Sequence, residues 1–179
     1  PCLSHFNNSF PPTVDDIRRI ISQSPSKSCD LDPLPHSLLM ASLDDVLPFL
    51  HLVCCSSLNA GVLPACEKVA VITPILKKPG LDPDSSASYR PVSNLTFLSK
   101  LIERLVCLQL TAYLHDNQLL VQQQSVYREC HSTETALLKV ASDVFDAMDT
   151  GDVTILALLD LSAAFDTVDH DILLQRLSN

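Results

Sequence analysis

Apolar residues recur at helical spacing through most of this chain, and strand-like runs interrupt them in a few places only. In TVDDIRRIIS, residues 13–22, Thr13 and Asp16 stand three apart and Ile17, Ile20 and Ile21 share one face. That pattern predicts a short helix opened by a capping box. The turn-rich connector SPSKSCDLDPLP follows. From Pro35 to Asn59 the apolar residues Leu38, Leu39, Leu43, Val46, Leu47, Leu50, Val53 and Leu58 keep a helical period. Pro48 predicts a break or restart in that helix, and Gly61 its end. A further stripe, Leu101, Ile102, Leu105, Leu108 and Ala112, predicts a helix over 99–115. Leu137, Val140, Ala141, Val144 and Met148 predict another over 133–150, closed by Gly151, and a short helix is expected over 169–177.

The strand signals are fewer. KVAVITPILKK, residues 68–78, reads as a strand in which Pro74 marks an edge or an irregularity. YRPVSNL is extended, because Pro91 biases Arg90 away from helix. NQLLVQQQSVYREC is irregular or a weak strand. The unbroken run Val153 to Leu159 predicts a strand buried on both faces, and it delivers Asp160 at its end. Asp has low β-propensity, and an uncompensated buried carboxylate is costly. Two readings fit Asp160: a cap on the turn that follows, or a ligand to Mg²⁺, an ion that keeps it ionised. Asp166 and Asp169 lie beyond it, and Asp169 also suits the N-cap of the last helix. Helix, strand, turn and helix in the last third make the fold α/β or α+β.

Composition narrows this. With 46% hydrophobic residues and only 3 Gly, the chain of 179 residues packs a core. The opening Pro1, without an initiator Met, suggests an excerpt of a longer protein. No export signal opens it, and Asp44, Asp45 and Pro48 interrupt the most apolar long segment, 38–58, so no membrane span and no membrane partner are expected. The 7 Cys form no C-x-x-C pair, so neither a zinc nor a disulfide framework is suggested. Cys54, Cys55 and Cys107 read as buried thiols in a reducing, intracellular compartment, nucleus or cytoplasm. The net charge of −9 argues against a nucleic-acid binder until its distribution is considered. Residues 68–104 carry six basic against three acidic side chains, and 140–179 carry eight Asp against Arg176 alone. A basic middle before an acidic end suits a phosphate track leading to a metal site, although ordinary solvated faces give the same count.

Three stretches then carry a resemblance. LALLDLSAAFDTVDHDILLQRL resembles the first catalytic palm motif of reverse transcriptases from non-LTR retrotransposons, LINE-type elements of the group that includes chicken repeat 1 and L2. VAVITPILKKPGLDPDSSASYRPVSNLTFLSKLIERLV is similar to the finger segment of those enzymes, and HSTETALLKV to the segment between. The resemblance covers about 29–179. It implies an α+β fold: fingers and partial palm of a right-hand polymerase, truncated after the first catalytic motif. It implies an N-terminal helical extension over 1–67, a fingers-like segment over 68–135 and the start of the palm over 136–179. By the same resemblance Asp160 is the catalytic carboxylate and ligates Mg²⁺ with the Leu161 backbone nearby. Phe165 lies under the sugar of the incoming nucleotide and excludes a 2′-OH. Lys77 or Lys78, with Arg90, grips the triphosphate, and Arg128 sits on the nucleic-acid surface. The implied partners are an RNA template, a DNA primer, dNTP and the remainder of a polyprotein.

The chain also departs from that pattern. Val126 stands where the family has Gly, which predicts strain in a turn, and Glu129 and Cys130 follow Arg128. The second palm motif, an aromatic-Ala-Asp-Asp hairpin, does not occur, and Asp15–Asp16 and Asp44–Asp45 fall in helical segments that cannot replace it. The expected function is thus a fragment of an RNA-directed DNA polymerase, inactive alone. The alternatives are a non-catalytic remnant that binds nucleic acid or protein, and an unrelated Mg²⁺-dependent phosphohydrolase using Asp160.

Overall fold

Thr13 starts the first helix as its spacing requires. In the computed structural model, which describes residues 11–25, 28–160, 164 and 167–178, its hydroxyl oxygen accepts from the Asp16 amide at 3.1 Å. The Asp16 carboxylate accepts from the Thr13 amide at 3.0 Å. This capping box opens α1 (Val14–Ser22). The Thr13 hydroxyl, which donates to the same carboxylate at 2.6 Å, and then the Thr13 amide hold the Asp16 carboxyl below the ordinary carboxylate range, with a smaller pull from Arg19. Thr13→Ala is expected to lower stability by about 1 kcal/mol. A carboxyl with a depressed pKa contributes above its unfolded value and loses that contribution as pH falls through the folded one. Urea unfolding of both proteins at about pH 7 and about pH 2.5 should therefore show the difference shrinking at low pH.

Two helices follow, α2 (His36–Ala41) and α3 (Leu43–Ala60). The expected break at Pro48 is corrected: the chain interrupts at Ser42, and Pro48 sits inside α3. Pro48 is the sixth residue of α3, so the bond its missing N–H forfeits is one near the helix start, where ordinary solvent can serve the carbonyl. Gly61 adopts φ 64° beyond the C-terminus, with Val62 donating to Ser57 and Gly61 to Leu58, a Schellman closure.

An antiparallel hairpin comes next, β1 (Val71–Leu76) paired with β2 (Tyr89–Asn94). Pro74 stands opposite Pro91. Lys77 donates to the Ser88 carbonyl at 2.9 Å, so alternation makes the Pro74–Pro91 pair a non-hydrogen-bonded one. The N–H groups these prolines lack would have pointed outward, and each strand thus presents a blunted edge. Thr96 then caps α4 (Phe97–Asp116) by accepting from the Ser99 amide at 3.1 Å.

The core joins three of these helices. Ile17, Ile20 and Ile21 of α1 pack with Leu43, Leu47 and Cys54 of α3 and with Leu101, Ile102 and Leu105 of α4. Arg18 pairs with Asp44 at 2.7 Å, and the His51 Nε2 stands 2.9 Å from the Pro12 carbonyl, to which it donates. Burial, with the Cys55 thiol alongside, pushes the Cys54 thiol up to about 11 and leaves it neutral. Cys55 is half-buried, and Cys107 is exposed, against expectation. Leu108 and Ala112 are exposed as well. The cause is length: α4 has 20 residues and α1 has 9, so α1 covers only the first part of the α4 stripe.

These elements form one compact unit, ending at Leu120, and the chain from Val121 forms a second. The second opens with turns, as its irregular sequence predicts. The strain expected at Val126 falls elsewhere: Tyr127 (φ 58°) and Cys130 (φ 60°) occupy the left-handed region, and Val126 does not. Ser132 and Thr135 form the capping box of α5 (Thr133–Asp149), which a second Schellman closure ends at Gly151 (φ 81°). Asp169 caps α6 (His170–Ser178), accepting from the amides of Asp171 and Ile172 at 3.0 Å each.

The buried strand expected over 153–159 is not formed. These residues have no regular structure, with Val153 92%, Ile155 89% and Leu159 94% exposed. A strand buried on both faces requires neighbours on both sides, and the sheet among the described residues has β1 and β2 alone. The fold of the described residues is thus helical with one small sheet. No helix among them is long and apolar enough to cross a membrane.

Candidate functional site

The hairpin register decides how its cations are arrayed. Ile75 pairs with Arg90, and Lys77 continues the ladder opposite Ser88. Lys77 and Arg90 are therefore diagonal neighbours on one face, and Lys78 follows where the chain enters the loop. All three are exposed. The Lys77 ammonium donates to the Ala87 carbonyl at 2.9 Å and ties the hairpin loop together. Tyr89 adds a second tie, its hydroxyl donating to the Pro83 carbonyl at 3.0 Å. A solvent-facing turn tied at two points and carrying three cations is suited to holding phosphate oxygens.

In the second unit Asp160 is exposed at the end of the 152–160 segment. Leu161, Phe165 and Asp166 lie outside the described residues. Arg128 is half-buried, and its Nη1 donates to the carbonyls of Gln122 at 3.0 Å and of Val121 and Gln124 at 3.4 Å. One edge of its guanidinium thus shapes the loop whose Gln122 and Gln123 line a cleft of about 740 Å³ beside His131 and Lys139 of the same unit. This use of Arg128 has no signature in the sequence, because a loop-binding Arg and a phosphate-binding Arg look alike there.

The donor chemistry for a divalent ion is met in kind and not in number. Asp160 offers a hard carboxylate oxygen, the type Mg²⁺ takes. Among the described residues no group of three or more His, Cys, Asp or Glu side chains is gathered to hold an ion. The described residues do not by themselves build a two-ion site.

A model of the family "Reverse transcriptase (RNA-dependent DNA polymerase)" matches residues 75–179, more than half of the chain. The chain belongs to the reverse transcriptase family. It is 30% identical over 168 residues to a probable RNA-directed DNA polymerase from transposon BS of Drosophila melanogaster, covering 93% of this chain and 18% of that protein. It is 31% identical over 165 residues to the RNA-directed DNA polymerase from mobile element jockey of the same fly, covering 92% and 18%. A probable RNA-directed DNA polymerase from transposon X-element is 28% identical over 151 residues, covering 84% and 16%. The chain spans less than a fifth of the length of these curated relatives. All three are polymerases of mobile elements, in line with the LINE-type kinship read from the residues, and they do not favour the non-catalytic alternative.

Proposed function

We propose that this chain forms the finger hairpin and the first palm segment of an enzyme that copies an RNA template into DNA, adding dNTP to a primer 3′-OH. In this reading 1–67 is an N-terminal extension, 68–135 the fingers and 136–179 the start of a right-hand palm. The observation that carries it is the family match running from the hairpin through Asp160, joined to a register that sets Lys77 and Arg90 on one face. Phosphoryl transfer depends on positioning and charge neutralisation more than on covalent help. Arg90 and Lys78, whose side chains bond to no described residue, are the cations best placed to grip a triphosphate. Lys77 holds the loop in shape and shares the face of Arg90.

Asp160 is the catalytic carboxylate in this reading, with the Leu161 backbone beside it and Mg²⁺ as the ion its oxygen would take. Phe165 is the steric gate against a 2′-OH. Arg128 serves the nucleic-acid surface by setting the loop that carries Gln122 and Gln123. The remainder of the polyprotein supplies the other carboxylates.

Two substitutions in the full-length enzyme test the nucleotide contacts. Lys78→Ala and Arg90→Ala are each expected to weaken dNTP binding by about 1.5–3 kcal/mol, the worth of a hydrogen bond to a charged group. Steady-state KM for dNTP reads this, and an unchanged KM in both removes the hairpin from the nucleotide site. Phe165→Ala is expected to raise incorporation of ribonucleotides relative to deoxynucleotides, measured as the ratio of their kcat/KM values. An unchanged ratio removes the gate.

A further inference from the structure

A cleft of about 460 Å³ opens in the first unit, where the connector after α1, helices α2 and α3, the turn before β1 and the start of α4 meet. Leu39, Val46, Leu50, Phe97 and Leu98 give it an apolar wall. Asp32 and Glu67 supply its charge, with no Lys, Arg or His among the described residues that line it. The two carboxylates differ in what they already bind. Both oxygens of Asp32 are engaged: Oδ1 accepts from the Phe97 amide at 2.6 Å and Oδ2 from the Cys29 amide at 2.7 Å. Glu67 accepts from the Thr96 hydroxyl through Oε2. Its Oε1 has, among the described residues, only the Cys66 thiol at 3.7 Å, a weak donor at long range.

A carboxylate oxygen left open at the side of an apolar cleft calls for a donor, and a cationic donor most of all. The volume is that of a small-molecule site, and so is the lining, apolar with few polar groups. We propose that this cleft binds a compact apolar molecule bearing one ammonium or amidinium group, its head on Glu67 and its body against Val46, Leu50 and Phe97. An anionic molecule would meet two carboxylates and no cation. A neutral apolar one would bury the Glu67 oxygen without a partner. The cleft lies at the root of the hairpin, because Val69 leads into β1 and Thr96 and Phe97 follow β2. The proposal stands apart from the polymerase reading and does not depend on it.

The chain contains no Trp, so indole emission reports an added indole alone. Titrating the 179-residue chain into tryptamine, followed by the anisotropy of the ligand's own fluorescence, is expected to show saturable one-to-one binding. Tryptamine should bind about tenfold or more tightly than uncharged 3-ethylindole, as one charge-assisted bond implies, and indole-3-propionate should not bind. Glu67→Gln should lower tryptamine to the level of 3-ethylindole. Val69→Arg, at a rim position already 53% exposed, sets a guanidinium against Glu67 and should abolish tryptamine binding with the helical circular dichroism unchanged. Equal affinity for the three indoles, absence of saturable tryptamine binding, or wild-type affinity in Val69→Arg overturns the proposal.

Discussion

Asp160→Ala in the full-length polymerase is expected to abolish primer extension on an RNA template. Two-ion phosphoryl transfer holds its ions about 3.5–4 Å apart, with carboxylates converging from different segments; in the proposed reading Asp160 is one of these, so its loss removes the clamp and not merely a fraction of it. The same requirement predicts that the 179-residue chain assayed alone extends no primer, since its described residues gather no group of three or more metal-ligating side chains. Asp171→Ala supplies the control. Its carboxylate lies in the first turn of α6, and its loss should leave extension near the wild-type level. A labelled primer resolved by length decides the matter. Extension by Asp160→Ala takes the catalytic role away from Asp160, and extension by the isolated chain takes away the need for carboxylates from elsewhere.

What was legible in the sequence follows from how far each element depends on distant residues. Thr13 and Asp16 announce α1, Ser132 and Thr135 hold the start of α5, and Gly61 and Gly151 end α3 and α5, because caps are satisfied within a few residues. The two extended stretches were readable because their prolines are local signals, while their pairing across twelve intervening residues was not among the readings. Val153 to Leu159 has all the composition of a buried strand and remains exposed, since a strand takes its stability from neighbours that its own residues do not name. The α5 stripe is a parallel case: Leu137 and Met148 keep helical period and stay exposed. At the candidate site, Lys77, Lys78, Arg90 and Asp160 were singled out by pattern and resemblance, and their roles belong to the proposed function. Which cation is engaged was not readable, because Lys77 meets the Ala87 carbonyl only once the loop has closed. Asp32 and Glu67 escaped sequence reasoning altogether. Thr96 and Ser99, in cap spacing, were the one local sign that something organises the start of α4.

Leu47→Ala is expected to destabilise the first unit by about 2–5 kcal/mol, the range for a buried Leu truncated to Ala. Leu47 is 1% exposed and belongs to the cluster formed by Ile17, Ile20 and Ile21 of α1 with Leu101, Ile102 and Leu105 of α4. The truncation removes apolar contact and leaves a cavity that the three packed helices cannot close without shifting together. Typical domains have only about 5–15 kcal/mol in hand, so the loss is a large share of what holds the N-terminal helices to α4. Leu137→Ala on α5 provides the contrast. That side chain is 64% exposed, and its truncation should change stability by no more than about 0.5 kcal/mol. Urea unfolding reads both, with the midpoint moving for Leu47→Ala and the slope unchanged. A loss below about 1 kcal/mol at Leu47 would mean that α1, α3 and α4 do not share a core, and the N-terminal helices would then have no packing reason to accompany the hairpin.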